Sequence, residues 1–172
     1  MEIANEKKIA GLVQFLRKGR TMTGRFRLPM SEEQAYEYLL AAYIMEVQLR
    51  YRRFIYNGFV EEQLKQVANC LTANTAKFGI VLCGGCGNGK TTMLKALQNL
   101  VRRLEILKPN LSPNAGHSSD NYYNFTIVNA MQIVQIRKTD YNKFCKLAEA
   151  DILGIDDIGT EPAEVGHYKT QD

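Results

Sequence analysis

The sequence predicts an α/β protein, a parallel sheet flanked by helices and preceded by a helical N-terminal extension. Three observations predict it. Short apolar runs rich in β-branched residues, "FGIVLCG", "FTIVNA" and "DILGIDDIG", are separated by stretches of helical periodicity. Their order, strand–loop–helix–strand–helix–strand, implies parallel strands joined by helical crossovers. A glycine-rich loop follows the first run, and two acids close the third.

Bulk properties bound the possibilities. A chain of 172 residues suits one domain with a small extension. Its 45% hydrophobic and 23% charged content is that of a globular protein and excludes a wholly disordered chain. The longest apolar run, Leu39 to Met45, is too short to span a bilayer. The start, "MEIANEKKIAG", lacks the apolar core and cleavage site of a signal peptide, so the expectation is a cytoplasmic protein with no membrane partner. Four cysteines, Cys70, Cys83, Cys86 and Cys145, do not make a disulfide framework. The net charge of +4 lies wholly in residues 1–58, which carry 10 Lys/Arg against 6 Asp/Glu. That asymmetry favours contact with nucleic acid or another acidic partner. The expected division is a basic helical region, 1–58, and a domain over 59–172.

Each element has its own signal. Ile9, Leu12, Val13 and Leu16 follow a helical stripe. Residues 17–27, "RKGRTMTGRFR", read as a basic loop with five basic residues and no acid. Ser31 with Gln34 forms a capping box that opens the second helix. Tyr36, Leu40, Ile44, Val47, Tyr51 and Ile55 give that helix one apolar stripe, ended by Asn57-Gly58 with Gly58 as a left-handed cap. Val60, Leu64, Val67 and Leu71 mark a third helix. "FGIVLCG" reads as a buried strand. From about Lys90 to Leu107 a helix turns Leu94, Leu97, Leu100, Val101 and Leu104 inward. A polar loop with two prolines leads to "FTIVNA", then helical pieces at Met131–Lys138 and Tyr141–Ala150, then the strand that ends in Asp156-Asp157.

The stretch "VLCGGCGNGKTT", residues 81–92, admits two chemistries. Cys83 and Cys86 form a CxxC pair, the spacing of a redox dithiol or of half a zinc site. Gly84 to Thr91 also fit G-x-x-x-x-G-K-S/T, a loop whose backbone N–H groups cradle phosphates. The phosphate reading explains more residues. Gly84 and Gly89 allow backbone conformations and close approach that a Cβ would hinder. Lys90 would reach the β- and γ-phosphates as a point charge, and the Thr91 hydroxyl would ligate Mg²⁺. Gly84, Gly85, Cys86, Gly87, Asn88, Gly89, Lys90, Thr91 and Thr92 are thus the expected ATP-binding residues. Cys83 is expected to pack at the strand end and Cys86 to fill the loop.

The third strand supplies the partner for the metal. Asp156 would hold Mg²⁺ together with Thr91, and Asp157 would orient or deprotonate an attacking water. Lys90 and Asp157 are therefore the expected catalytic residues, and Thr91 and Asp156 the metal ligands. Glu161, His117 and His167 read as rim or solvated residues. Arg50, Arg52 and Arg53, interleaved with Tyr51, Phe54, Tyr56 and Phe59, could contact single-stranded DNA or form a solvated or partner-binding surface.

With "LCGGCGNGKTTMLKAL" and "DILGIDDIGTEPAEVGHY" read together, residues 50–168 resemble the helicase-loader branch of the AAA+ P-loop ATPases, the DnaC-like and IstB-like proteins of Bacteroidetes type. The resemblance implies a P-loop NTPase fold, ATP and Mg²⁺ at Walker A and Walker B motifs, single-stranded DNA, a replicative helicase or transposase as partner, and a homo-oligomer. It also implies a sheet of order 5-1-4-3-2. The fourth strand, a polar sensor and an arginine finger come after Walker B in that family, whereas this sequence ends at Asp172, 15 residues past Asp157. The expectation is a truncated or frame-shifted chain that can bind nucleotide and hydrolyses it weakly or not at all. Its first and third strands would then either pair directly or leave a gap between them. Two other readings remain: a non-catalytic adaptor with a vestigial nucleotide site, and a small-molecule P-loop kinase, which would need lid arginines that residues 109–130 lack.

Overall fold

The computed structural model describes residues 9, 11–15, 26–74, 79–109 and 119–160. Leu16, the basic stretch before Phe26, His117, Glu161 and His167 lie outside the described residues. The architecture is α/β, with helices packed on a small parallel sheet. Residues 11–15 are helical (α1), and the apolar side chains there, Leu12 and Val13 among them, remain exposed. There follow α2 (Glu32–Gln48), α3 (Gly58–Thr72), α4 (Lys90–Leu104), a short 3-10 turn at Ser119–Asn121, β1 (Phe125–Asn129), α5 (Ala130–Thr139), α6 (Tyr141–Ala148) and β2 (Ile152–Asp156). No described helix is long and apolar enough to cross a membrane.

The start of α2 is as the sequence predicts. Ser31 Oγ accepts from the Gln34 amide at 3.2 Å, and the Ser31 amide donates to Gln34 Oε1 at 3.3 Å. Glu32 and Glu33 in the first turn complement the helix dipole. Its end and its buried face differ from the expectation. The helix stops at Gln48, and Tyr51 turns into the left-handed region at φ 55°. Leu49, Tyr51 and Ile55 have no core to enter and stay exposed, so continuing the helix would have buried nothing. The buried side chains are Ala35, Leu39 and Tyr43, while Tyr36, Leu40 and Val47 flank them. Gly58 opens α3 instead of closing α2. Asn57 is the N-cap, accepting from the Val60 amide at 2.9 Å.

Leu39 and Leu64 are the largest fully buried side chains. They belong to a core shared by α2, α3, α4 and Phe125 of β1. Met93, Ala96, Leu97, Leu100 and Val101 give α4 its buried face. Gln98 Nε2 donates to the Phe125 carbonyl at 2.8 Å and ties that helix to the sheet. The excursion after α4 is closed at its base by an antiparallel bridge, Leu107 with Tyr122, and by a salt bridge of 2.8 Å from Lys108 to Asp151.

The described residues form two strands, not three. β1 and β2 are parallel, in a register that sets Phe125 opposite Ile152 and Asn129 opposite Asp156. Residues 79–83, predicted to be a buried strand, pair with neither. Of the two arrangements expected for the first and third strands, direct pairing is not formed. A strand exists through its ladder of backbone hydrogen bonds, and this run has no partner among the described residues. Ile80 and Leu82 reach the core while Val81 is 81% exposed, so the run keeps an alternating burial without a ladder.

One close approach sets how the sheet meets α4. A Cβ on Gly154 would lie 2.8 Å from both Leu94 Cδ1 and Phe125 Cε2. With glycine here both side chains keep their places; an added methyl would force them to shift. Gly154→Ala is therefore expected to destabilise the fold by about 1–3 kcal/mol, as overpacking does, read as a lowered urea midpoint with unchanged slope.

Candidate functional site

The glycine-rich loop bends through three glycines at positive φ, Gly84 at 154°, Gly87 at 81° and Gly89 at 81°. The Asn88 side chain folds back over its start, so that a Cβ on Gly84 would come 3.2 Å from Asn88 Nδ2. Gly89 caps α4 without a side-chain hydrogen bond. The first intrahelical bond runs from the Met93 amide to the Gly89 carbonyl at 2.8 Å. Ahead of it lie the N–H groups of Lys90, Thr91 and Thr92, the donors that a helix start leaves unpaired within itself. Together with the helix dipole they attract an anion. Thr92 offers this site only its backbone, because its side chain is buried in the packing of α4.

The Lys90 ammonium folds back over the loop. It donates to the carbonyls of Gly84 and Gly85, each at 2.8 Å. The cation is thereby held among the loop's own oxygen atoms, where a phosphate oxygen is a stronger, charge-assisted acceptor. Cys83 and Cys86 are both exposed and unbridged. Cys83 is thus no packing residue, because the run that carries it enters no sheet among the described residues. Nor, among those residues, does any group of three His, Cys, Asp or Glu side chains stand ready to hold a metal, so the CxxC pair finds no further zinc ligands.

Asp156, the last residue of β2, is brought to this loop across 65 positions of sequence, where Thr91 Oγ1 donates to Asp156 Oδ1 at 3.2 Å. The same Oδ1 accepts from the Asp157 amide at 3.1 Å, which fixes the carboxylate at the strand end. Asp157 sits in the left-handed region at φ 53° and is exposed. Its Oδ2 accepts from Asn129 Nδ2 at 2.9 Å, and Thr160 closes the turn by donating its hydroxyl to the Asp157 carbonyl at 2.8 Å. The site therefore offers hard oxygen donors, one hydroxyl and one carboxylate, beside a cradle of N–H groups and one ammonium. That set fits a magnesium ion held mainly by phosphate oxygens and water.

Comparison of the chain with protein-family models, with curated proteins and with solved structures gives no match.

Two residues of this region escape sequence reading. Asn129 ends β1 beside Asp156 and plays two parts: its Oδ1 accepts from the Met131 amide at 2.9 Å to cap α5, and its Nδ2 holds Asp157. A signal existed, a polar residue at the carboxyl end of a parallel strand, where open α/β sheets place their ligands. Tyr43 of α2 lies against Gly89, where an added Cβ would collide with its hydroxyl oxygen. It is outside the stripe that the sequence suggests for α2, although its spacing of three from Leu40 and four from Leu39 is helical. A basic connector leaves the same helix. Arg50, Arg52 and Arg53 are exposed there, and Tyr51 is fully so.

Asn129→Ala removes a helix cap and the support of Asp157 together. An equilibrium urea titration is expected to show a loss of about 1–2 kcal/mol, the scale of a cap and one hydrogen bond.

Proposed function

We propose that this chain is a nucleotide-binding module of the P-loop NTPase kind that takes ATP with Mg²⁺ on the loop Gly84–Thr92. One observation carries the reading: the hydrogen bond from Thr91 at the loop to Asp156 at the end of β2. A glycine-rich turn with no ligand has no need of a distant carboxylate at its mouth. The geometry supports a role for each residue. The N–H groups from Gly87 to Thr92 receive phosphate oxygens, and Lys90 exchanges the Gly84 and Gly85 carbonyls for them. Thr91 and Asp156 would hold the magnesium ion, which when bound neutralises charge developing on the phosphates. Asp157, steadied by Asn129, is placed to accept a proton from water. The AAA+ helicase-loader or transposase-helper role, a homo-oligomer and a helicase or transposase partner rest on the likeness of the two motifs.

Calorimetric titration of Mg-ATP tests the core of this reading. Saturable binding is expected, weakened about ten- to a hundredfold in Lys90→Ala, the worth of a charge-assisted hydrogen bond. Asp156→Asn should weaken binding with magnesium and leave binding in excess EDTA unchanged. A wild-type chain that binds no ATP, or a Lys90→Ala chain that binds it equally, would sink the proposal.

A role on DNA is supported by the exposed cations of the connector, with Tyr51 standing exposed to stack on a base. Replacing Arg50, Arg52 and Arg53 by alanine should weaken single-stranded DNA binding. It should also reduce the slope of log affinity against log salt by about 2, at roughly 0.7 per phosphate contact. An unchanged slope would exclude the connector from DNA contact.

A further inference from the structure

Tyr43 of α2 carries an inference that rests on the nucleotide reading and goes beyond it. The residue is only 8% exposed, and its phenol end packs against the turn at Gly89. All three atoms nearest to a Cβ placed on Gly89 belong to Tyr43, its hydroxyl oxygen, Cζ and Cε2. The hydroxyl therefore fills the space that a side chain at position 89 would occupy. Gly89 is the residue whose left-handed φ of 81° aims the first N–H groups of α4 at the loop's interior.

The ring that bears this hydroxyl is fixed by its packing. Tyr43 belongs to the shared helical core, and Phe54 meets it edge-on with ring centroids 6.0 Å apart. Phe54 in turn meets Tyr56 at 6.3 Å, and the Tyr56 hydroxyl lies 3.3 Å from that of Tyr36. A continuous run of aromatic contacts thus joins the basic connector to the turn at Gly89. Burial pushes the Tyr43 phenol up from its ordinary value, against an opposing effect of the Arg50 charge, so the group stays a neutral O–H donor through the physiological range.

We propose that Tyr43 is a positioning residue of the phosphate loop. Its hydroxyl holds the turn formed by Asn88, Gly89 and Lys90 in the conformation that binds phosphate, and its ring couples that turn to the connector through Phe54.

A double-mutant cycle in Mg-ATP affinity tests this, using the 172-residue chain with urea unfolding measured alongside. Tyr43→Phe keeps the ring and removes only the oxygen. It is expected to weaken Mg-ATP binding about three- to tenfold, because the space the oxygen fills beside Gly89 is left empty and the turn loses its stop, while the unfolding midpoint stays near that of the wild type. Gly89→Ala should weaken binding more, since its Cβ meets the hydroxyl at a strained φ. Adding Tyr43→Phe to Gly89→Ala should then restore part of the affinity, because the oxygen in the way is gone. Wild-type affinity in Tyr43→Phe, or losses that simply multiply in the double variant, would overturn the proposal. Lys90→Ala in the same assay separates the two readings: if it binds Mg-ATP like the wild type, the nucleotide site itself is wrong and the role of Tyr43 falls with it.

Discussion

The approach of β2 to α4 at Gly154 is the constraint on which the rest of the structure depends. Leu94 of α4 and Phe125 of β1 both press on the bare Cα of that glycine. Leu94 lies three positions after Thr91, and Gly154 two positions before Asp156. A helix and a strand held this close at those two points bring the Thr91 hydroxyl within hydrogen-bonding reach of the Asp156 carboxylate. A side chain at position 154 would have to displace Leu94 and Phe125, the side chains packed between the two halves of the site. Packing and chemistry share one contact here.

The helical region before the loop is part of the same construction. Ala35, Leu39 and Tyr43 of α2 enter the core that also holds Met93, Ala96 and Leu97 of α4. The loop at Gly84–Gly89 thus rests on α2 on one side and faces the strand acids on the other. That arrangement gives the site a packed floor even though residues 79–83, which lead into the loop, join no ladder among the described residues. Rigid elements carry Lys90, Thr91 and Asp156, while the glycines of the loop supply the turns between them.

Legibility followed the kind of signal each element carries. The capping box at Ser31 and Gln34 uses contacts three residues apart, so the sequence alone could announce it. β1 and β2 were legible because their β-branched residues end at clear polar signals and their partners exist. The run "FGIVLCG" has a similar composition, yet its residues 79–83 join no strand among the described residues, because a ladder needs a second chain segment that composition cannot promise. The length of α2 was overread for a related reason: the stripe continues to Ile55, but the core does not. The buried face at Ala35, Leu39 and Tyr43 lies one position off the predicted one, as several apolar residues share that helix and only its neighbours decide which turn inward.

By itself, the sequence determined the local chemistry: glycines where the loop must turn, a lysine and a threonine at the start of α4, and two acids at the end of an apolar run. These follow from residue type and short-range spacing, which act within a few residues of chain. Tertiary structure decided what those pieces do together. It set Asp156 against Thr91, gave Asp157 its partner in Asn129, left residues 79–83 without a ladder among the described residues, and placed Tyr43 against Gly89. Each of these depends on segments far apart in the chain meeting at van der Waals distance, and such meetings are governed by packing, which no local pattern encodes.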